Sequence, residues 1–274
     1  MLLPNLFRPV ETRLRNVSVP AVQHKGTFSG GNAVASYQGP QLSGLDLWVL
    51  QAVLAEATSL HDSNRASRDP KTGHMDMACS FNRLGQVMGH ASAGQLKTNA
   101  SLEASLARLQ AGKMSWSEDQ APAVMLPMLS VIVGPGHASS PQEGVTGLAG
   151  GRRKRLCLRL HPLLAEGVAA VGQEKHHLKL QMSEVRALKA QSTRLLHHRL
   201  TQSNLGVPVE YGRDTLTGYI AATGASRHQQ RRLNERLDAA LNELEALGWT
   251  IQLMSELTVS GVLKYKITRL NPGP

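Results

Sequence analysis

Apolar residues recur at steps of three and four near the C-terminus and predict a helix with one buried face. The positions of this seam are Leu233, Leu237, Ala240, Leu241, Leu244 and Leu247. A shorter stripe, formed by Leu216, Tyr219 and Ile220, predicts a helix just before it. Between the two, Gly224 permits the positive φ of a tight turn, and Ser226 is a good N-cap. Two β-rich runs, 249–259 and 262–269, follow. This order predicts a helix-turn-helix with a β-wing, which is a winged helix.

The polar face of the second helix is dense in cations and amides. At 100° per residue, Arg231 lies nearly opposite Leu233. Arginine, asparagine and glutamine can hydrogen-bond base edges, and cations contact phosphates, so the pattern favours a recognition helix. A solvated amphipathic helix has the same periodicity and is the alternative. The candidate DNA-binding residues around this helix are Arg213, Arg227, His228, Gln230, Arg231, Arg232 and Asn234. Arg231 is the main candidate for base readout.

The last β-run contributes two further cations. Lys264 and Lys266 alternate with Tyr265 and Ile267, so both lysines are expected on one face of a strand. A lysine pair on a wing suits contact with the phosphate backbone.

A similar order of elements precedes this region. Residues 80–89 predict a short helix, and Ser92 caps a longer one with Leu102, Leu106 and Leu109 on one face. KMSW and the run 121–133 then predict strands of one sheet. SLARLQAGKMSW at 105–116 parallels ALNELEALGWTI at 240–251, which favours two winged helices in tandem.

The first of these units has its own candidate DNA-binding residues. Lys97 and Asn99 lie on the longer helix beside small residues, so the helix could enter a groove or pack in an interface. A Gly/Pro/Ser-rich loop, 134–151, and a strand with a basic face follow, and together they predict a long wing. Its cations are expected on the backbone or in the minor groove, with a solvated turn as the alternative; they are Arg152, Arg153, Lys154 and Arg155.

The remaining pattern completes an α+β architecture. Ser43 caps a helix with Asp46 three residues later, and MDMAC predicts a strand. HHLKLQM predicts another strand, and Ser183 begins one helix through residue 200. We therefore expect a flexible arm at 1–40, in which residues 28–40 could hold a short strand. A winged-helix domain with a long Gly-rich and basic wing is expected at 41–172, and a second winged-helix domain at 173–274.

Composition narrows the class of partner. The 274 residues carry a net charge of +10 and have a pI of about 10.0, which favours a polyanion. No apolar run approaches the roughly 18 residues of a membrane span, and the N-terminus does not read as a signal peptide. Aromatic residues are 4% of the chain, too few for base stacking as the main mode of binding. Cys79 and Cys157 lack a disulfide-like spacing, so reduced thiols in the cytoplasm are expected.

Motifs of catalysis are missing from the sequence. There is no GxxxxGK[ST], and the four tyrosines lack the His-x-His company of a nicking enzyme. The pairs His176-His177 and His197-His198 lack partner ligands, so packing or surface roles are favoured over metal binding. No enzyme activity, cofactor or metal is therefore expected.

From about Gly39 onward the chain resembles the RepC replication initiators of IncQ-type broad-host-range plasmids. The segments that carry the resemblance are LSGLDLWVLQAVLA, SLARLQAGKMSW, MSEVRALKAQSTRLLHHRL, DTLTGYI, LNELEALGWTI and KYKITR. The resemblance implies a bacterial, plasmid-encoded, cytoplasmic initiator with two winged helices. It also implies binding to double-stranded direct repeats (iterons), origin opening, and recruitment of the plasmid's helicase and primase. A homodimer is possible.

Two other functions fit the residues. A winged-helix transcriptional regulator would share the fold, and direct repeats rather than a palindrome in the bound DNA would distinguish the initiator from it. An enzyme of nucleic-acid processing is disfavoured by the missing motifs.

Overall fold

The computed structural model describes residues 6–8, 21–27, 34–90, 96–117, 124–132, 155–170, 181–203, 206–221, 227–259 and 261–269. Helices and antiparallel sheets are both present, so the α+β class is confirmed. The elements up to residue 170 are, in chain order, β1 (Phe7–Arg8), β2 (Ala21–Thr27), β3 (Val34–Pro40), β4 (Leu42–Ser43), α1 (Gly44–Asp62), β5 (Met75–Ser80), α2 (Phe81–Val87), α3 (Leu96–Ala111), β6 (Lys113–Ser117), β7 (Leu126–Pro127), β8 (Leu129–Ile132), β9 (Arg155–Leu160) and α4 (Pro162–Ala169). The elements after it are α5 (Met182–Ala187), α6 (Gln191–Ser203), β10 (Val209–Gly212), α7 (Arg213–Ile220), α8 (Arg227–Glu245), β11 (Trp249–Leu257) and β12 (Leu263–Arg269).

The chain divides into two compact units. The first consists of residues 1–6 and 17–177, and the second of residues 7–16 and 178–274. The predicted boundary, between residues 172 and 173, lies a few residues before this division.

Residues 21–27, predicted as part of a flexible arm, form a strand, whereas the short strand predicted within residues 28–40 is present at 34–40. Strands β2 and β3 pair antiparallel, and β3 also pairs with β6, in a four-stranded sheet of order β2-β3-β6-β7. Tyr37 anchors this sheet: its side chain is buried, and its hydroxyl donates to the carbonyl of Pro40 at 2.6 Å. The ring packs so closely that a Cβ on Gly112 would lie 2.6 Å from Tyr37 Oη, which requires glycine there.

Helix α1 is the centre of the first unit. The predicted capping box is present: Ser43 accepts from the Asp46 amide, and the Asp46 carboxylate accepts from the Ser43 amide at 2.7 Å. Asp46 is fully buried, and its charge is balanced by Arg108 of α3, whose Nη2 lies 2.8 Å from Oδ1. A paired, hydrogen-bonded carboxylate satisfies the condition for burying a charge. The pair therefore fixes α3 against the start of α1.

Both units contain a three-stranded antiparallel sheet with the same strand order. The sheets run β5-β9-β8 and β10-β12-β11, with the last strand in the middle. In each unit the first of these strands leads into two helices and then into the other two strands. The prediction that KMSW and the run 121–133 lie in one sheet is confirmed only in part, because β7 pairs with β6 in the β2-β3 sheet whereas β8 pairs with β9.

The predicted single helix from Ser183 to Leu200 is broken in two. Leu188 is extended, with φ −73° and ψ 126°, and α6 begins at Gln191. The buried Arg194 guanidinium donates to the carbonyls of Val185 and Leu188, which would otherwise be left unpaired at the break. The predicted strand at 176–182 also differs, since Met182 begins α5; residues 176–180 lie outside the described residues.

A polar cluster ties the helices of the second unit to its sheet. Glu184 Oε2 accepts from His197 Nε2 at 3.0 Å and from Arg269 Nη2 at 2.6 Å. The Arg269 guanidinium lies over the Trp249 ring at 5.6 Å from its centroid. The hydrogen bond from His197, followed by those from Arg269, lowers the Glu184 pKa against the opposing effect of burial. Helices α5 and α6 are thus held to strands β11 and β12.

Two further predictions concern thiols and membranes. Cys79 on β5 and Cys157 on β9 are both free thiols, and burial raises the pKa of Cys79 to about 12. Across the described ranges, no helix combines the length and apolar character that crossing a membrane requires.

Two buried histidines, His161 in the first unit and His198 in the second, predict a loss of stability in mild acid. Burial lowers the pKa of His161 to about 4 and that of His198 to about 3, against about 6.5 in an unfolded chain. Below pH 6.5 the unfolded chain therefore binds protons that the folded chain does not. We expect the free energy of unfolding to fall by on the order of 2 kcal/mol per histidine between pH 7.5 and pH 5. Glu184 adds to this loss only at lower pH, because its pKa is lowered.

Denaturant unfolding at both pH values measures this loss. The His198→Gln variant is expected to show a smaller loss than the unmodified chain. His61→Gln, at a half-exposed position on α1, serves as the control and should retain the full loss. An equal loss in the unmodified chain and His198→Gln would contradict the account.

Candidate nucleic-acid interface

Helix α8 is amphipathic as the sequence predicts. Leu237, Ala240, Leu241 and Leu244 are buried in one cluster with Leu216 and Ile220 of α7. Leu233 is also buried, and Leu247 packs against the cluster. The predicted turn with Gly224 and the predicted cap at Ser226 lie outside the described residues. The buried seam fixes which face of α8 is left for solvent.

Charge is divided unevenly along α8. Residues 227–236 contain four arginines and one acid, Glu235, whereas residues 237–245 contain three acids and no cation. The first turn has no acid and the last turn has no base. A helix macrodipole favours the reverse arrangement, by about 0.3–1 kcal/mol for each charge near an end. The distribution therefore does not serve the stability of the helix, and it suits a polyanion at the N-terminal half.

The arginines of this half differ in their surroundings. Arg231, the main candidate for base readout, is 83% exposed, and its Nε lies 3.2 Å from Glu235 Oε1 one turn along the helix. Arg232 and Arg236 are exposed, and neither forms a salt bridge within the described part of the chain. Gln230 is half-buried. Arg236 is absent from the predicted set, although its position four residues after Arg232 places both on one face.

Arg213, one of the candidate DNA-binding residues, is engaged inside the second unit and is only 18% exposed. Its Nη1 donates to Tyr265 Oη at 2.6 Å, and its Nη2 lies 2.7 Å from both carboxylate oxygens of Asp238. Its Nε also donates to Asn234 Oδ1 at 3.5 Å, so this half-buried amide is engaged inside the unit as well. Burial raises the pKa of Tyr265, and the phenol stays neutral as the acceptor. Arg213 therefore joins α7, α8 and β12.

The two lysines of β12 share a face, as predicted, while Tyr265 and Ile267 are buried. Lys264 Nζ lies 3.5 Å from Glu210 Oε2, and Lys266 is exposed opposite Glu210 and Gln252 in the two neighbouring strands. Glu210 therefore offsets part of the positive charge of this face. The β11–β12 hairpin contributes less net positive charge than its two lysines indicate.

Several predicted residues fall where side chains are not described. Arg227 and His228 lie in α8, Lys97 and Asn99 in α3, and Arg155 begins β9. Arg152, Arg153 and Lys154 lie outside the described residues.

The structure nevertheless tests the predicted basic face of β9. Arg159 forms a two-point pair with Asp76, with Nε–Oδ1 at 2.7 Å and Nη2–Oδ2 at 2.8 Å. The hydrogen bonds from Arg159 lower the pKa of Asp76, which therefore remains a carboxylate. The Arg159 charge is thus compensated within the sheet.

Helix α3 offers a different surface from α8. Leu102, Leu106 and Leu109 are buried, as predicted. The exposed residues of its described part are small, namely Ala100, Ser101, Ala104 and Ala111. A small-residue surface permits close approach of a backbone but supplies few hydrogen bonds. The second unit therefore carries the more distinctive chemistry.

Comparison with known proteins adds a family and a fold. Two crystal structures of RctB domains 2 and 3, one of them a selenomethionine derivative, align with 96% of this chain and 94% of theirs. Their TM-scores are 0.60 and 0.59 at 13% and 12% identity, so the likeness is one of fold. No curated protein sequence matches significantly.

A family model decides the membership. The model of replication protein C (RepC) matches residues 125–270, more than half of the chain and nearly all of the second unit's described elements. The chain therefore belongs to the RepC replication protein family.

Proposed function

We propose that the chain initiates plasmid replication by binding double-stranded direct repeats through two winged helices. The strand order supports this proposal in both units. A strand, two helices and a hairpin whose last strand lies centrally are the parts of a winged helix. In this scheme α3 and α8 are the recognition helices, and β8–β9 and β11–β12 are the wings.

The observation that carries the proposal is the exposed cationic half of α8. Four arginines lie in residues 227–236, against the preference of the helix dipole. A DNA backbone would neutralise them and release condensed counterions, which is a large part of the affinity of DNA-binding proteins. Phosphates would thus stabilise an arrangement that the isolated chain does not favour.

Arg232 and Arg236 are the first candidates for base readout in this proposal. Both are exposed, and neither has an acidic partner in the described residues. A guanidinium can pair with O6 and N7 of guanine in the major groove. Arg231 remains a candidate as well, because an exposed bridge of the Arg231–Glu235 type contributes only about 0.3–0.5 kcal/mol and can be exchanged for a phosphate or base.

The first unit would bind DNA mainly through the complementary shape of α3 and a groove. The small exposed residues of α3 allow close approach to a groove, with Lys97 and Asn99 as the polar contacts. Two recognition helices in one chain favour a long asymmetric site over a palindrome.

The role needs no catalytic centre. Opening of the origin would draw on binding energy, since bending a site costs on the order of 1–6 kcal/mol that contacts can offset. Recruitment of a helicase and a primase follows from the family resemblance alone and stays a prediction, as does a homodimer.

Binding to duplex DNA is expected to depend steeply on salt. If six to ten phosphates are neutralised, affinity should fall roughly 10³- to 10⁵-fold between 50 and 200 mM salt. Fluorescence anisotropy with the full chain and a labelled duplex measures this slope. A fall of less than tenfold would exclude an electrostatically driven interface.

Sequence discrimination is expected to depend on Arg232 and Arg236. With duplexes selected by the full chain from a random library, Arg232→Ala or Arg236→Ala should lower affinity roughly tenfold, in line with the ~1–3 kcal/mol of one guanine contact. Affinity for random duplexes should fall much less. Arg65→Ala, which removes an exposed arginine from the first unit, is the matched control for charge and should change either affinity less than twofold.

The ratio of the affinities for selected and random duplexes distinguishes base readout from phosphate contact. Equal losses on selected and random duplexes would make these arginines phosphate contacts. No loss on either duplex would remove this face of α8 from the interface.

A further inference from the structure

The β11–β12 hairpin exposes a group of apolar side chains. Of the six large apolar residues that are most exposed in the described chain, four lie on this hairpin: Leu253, Leu257, Val259 and Leu263. Val259, in the turn, is fully exposed. A contiguous exposed apolar patch is unusual on a monomer and marks a surface of interaction.

Three of these side chains continue the inner face of the sheet. Trp249 and Ile267 mark that face, because both are in the buried cluster. By strand alternation Leu253 and Leu263 lie on the same face, and Leu257 pairs with Leu263. The last buried residue of the hairpin is Tyr265, opposite Leu253. Beyond the Leu253–Tyr265 pair, the apolar residues Leu257 and Leu263 of the same face are exposed.

The hairpin tip and the cationic half of α8 project from the same end of the unit. The C-terminal part of α8 packs with Trp249, where the hairpin begins. Nearer to the turn of the hairpin, Arg213 contacts Tyr265 of β12 and both Asn234 and Asp238 of α8. Tyr265 of the hairpin therefore lies beside the 234–238 segment of α8. From this contact α8 continues towards its N-terminus at residue 227, and the hairpin continues to its turn. At 1.5 Å per residue, the helix extends about two turns further.

Hydrogen bonds close the turn at the end of the hairpin. Thr258 and Val262 close the turn through two hydrogen bonds, one backbone–backbone at 2.8 Å and one from the Val262 amide to the Thr258 hydroxyl at 2.9 Å. Gly261 supplies a positive φ of 76°. The turn rests on the start of α7, where a Cβ on Gly212 would lie 3.2 Å from Thr258 Cγ2. A register shift between Leu253 and Leu257 redirects β11 before the tip.

We propose that this tip, Leu257, Val259 and Leu263, inserts as an apolar wedge into the minor groove beside the α8 site and unstacks a base step. The inference rests on the proposed function, because α8 must first position the hairpin on DNA. The minor groove is about 6 Å wide, too narrow for a whole two-stranded hairpin, so only the apolar side chains at the turn would enter it. Proteins that insert apolar side chains between base steps kink the duplex and weaken its stacking. The unstacked base step would lie next to the bound repeat, and separation of the DNA strands could start there.

The charge and size of the tip favour a base step over the phosphate backbone or a protein partner. Residues 253–263 contain one charged residue, Glu256, and no cation, so the tip is not suited to phosphates. Stable protein partners bury about 800 Å² per side, and a narrow turn with a few apolar side chains cannot supply that area. A base step needs only a few side chains.

Base unstacking can be measured directly. The probes are duplexes selected by the full chain from a random library, with 2-aminopurine placed at each adenine in turn. At saturating protein the unmodified chain should raise fluorescence at least threefold at one position or at two adjacent positions. The doubly substituted Leu257→Ser/Val259→Ser chain should lose more than half of this increase, with affinity reduced less than fivefold. Val207→Ser, which removes an exposed apolar residue elsewhere in the unit, is the matched control and should retain the increase.

Each other outcome overturns the inference. An increase that is unchanged in the doubly substituted chain, or absent from the unmodified chain, would mean that the tip does not unstack bases. A loss of self-association in sedimentation, with unstacking intact, would make the tip a contact between copies. These results leave the DNA-binding proposal standing, whereas failure of the full chain to bind duplex DNA would remove both. Circular dichroism of the variants checks that the substitutions leave the fold intact.

Discussion

The arrangement of the second unit depends on the Arg213 guanidinium. It contacts Tyr265 on the sheet and Asn234 and Asp238 on α8, while its own backbone begins α7. Because a planar guanidinium donates in fixed directions, these contacts set α8 and the hairpin at one level. The cationic half of α8 and the apolar tip of the β11–β12 hairpin then lie at the same end of the unit. The proposed DNA-binding surface thus depends on an arginine whose guanidinium is engaged inside the unit.

A division of charge runs through the described parts of both units. Cations that stabilise the fold are paired: Arg108 with Asp46, and Arg159 with Asp76. Arg232 is exposed and lacks such a partner in the described chain, as does Arg236. The net charge of +10 therefore matters less than where the uncompensated part of it lies. Membership of the RepC replication protein family agrees with a polyanionic partner for that part.

Sequence patterns predict those parts of the structure that depend on neighbouring residues. They do not predict the parts that depend on residues far away in the sequence. The leucine seam of α8 and the Ser43 cap depend on neighbours within a few residues, and both are present. The break before α6 depends on the buried Arg194, and the role of Arg213 depends on residues more than twenty positions away. Strand β3 follows a Gly-rich segment, and its pairing with β6 joins segments about eighty residues apart, so its place in the sheet cannot be found from local sequence. Arg236 could have been found from its spacing to Arg232.

The central claim is that the N-terminal half of α8 lies in the major groove of a bound duplex. Methylation interference tests it most directly, since dimethyl sulfate modifies guanine N7 in the major groove and adenine N3 in the minor groove. The account predicts that N7 methylation of one or two guanines in a selected site prevents binding by the full chain, and that Arg232→Ala or Arg236→Ala becomes insensitive to one of them. Interference confined to adenine N3, or the same guanine pattern in both variants and the unmodified chain, would contradict it.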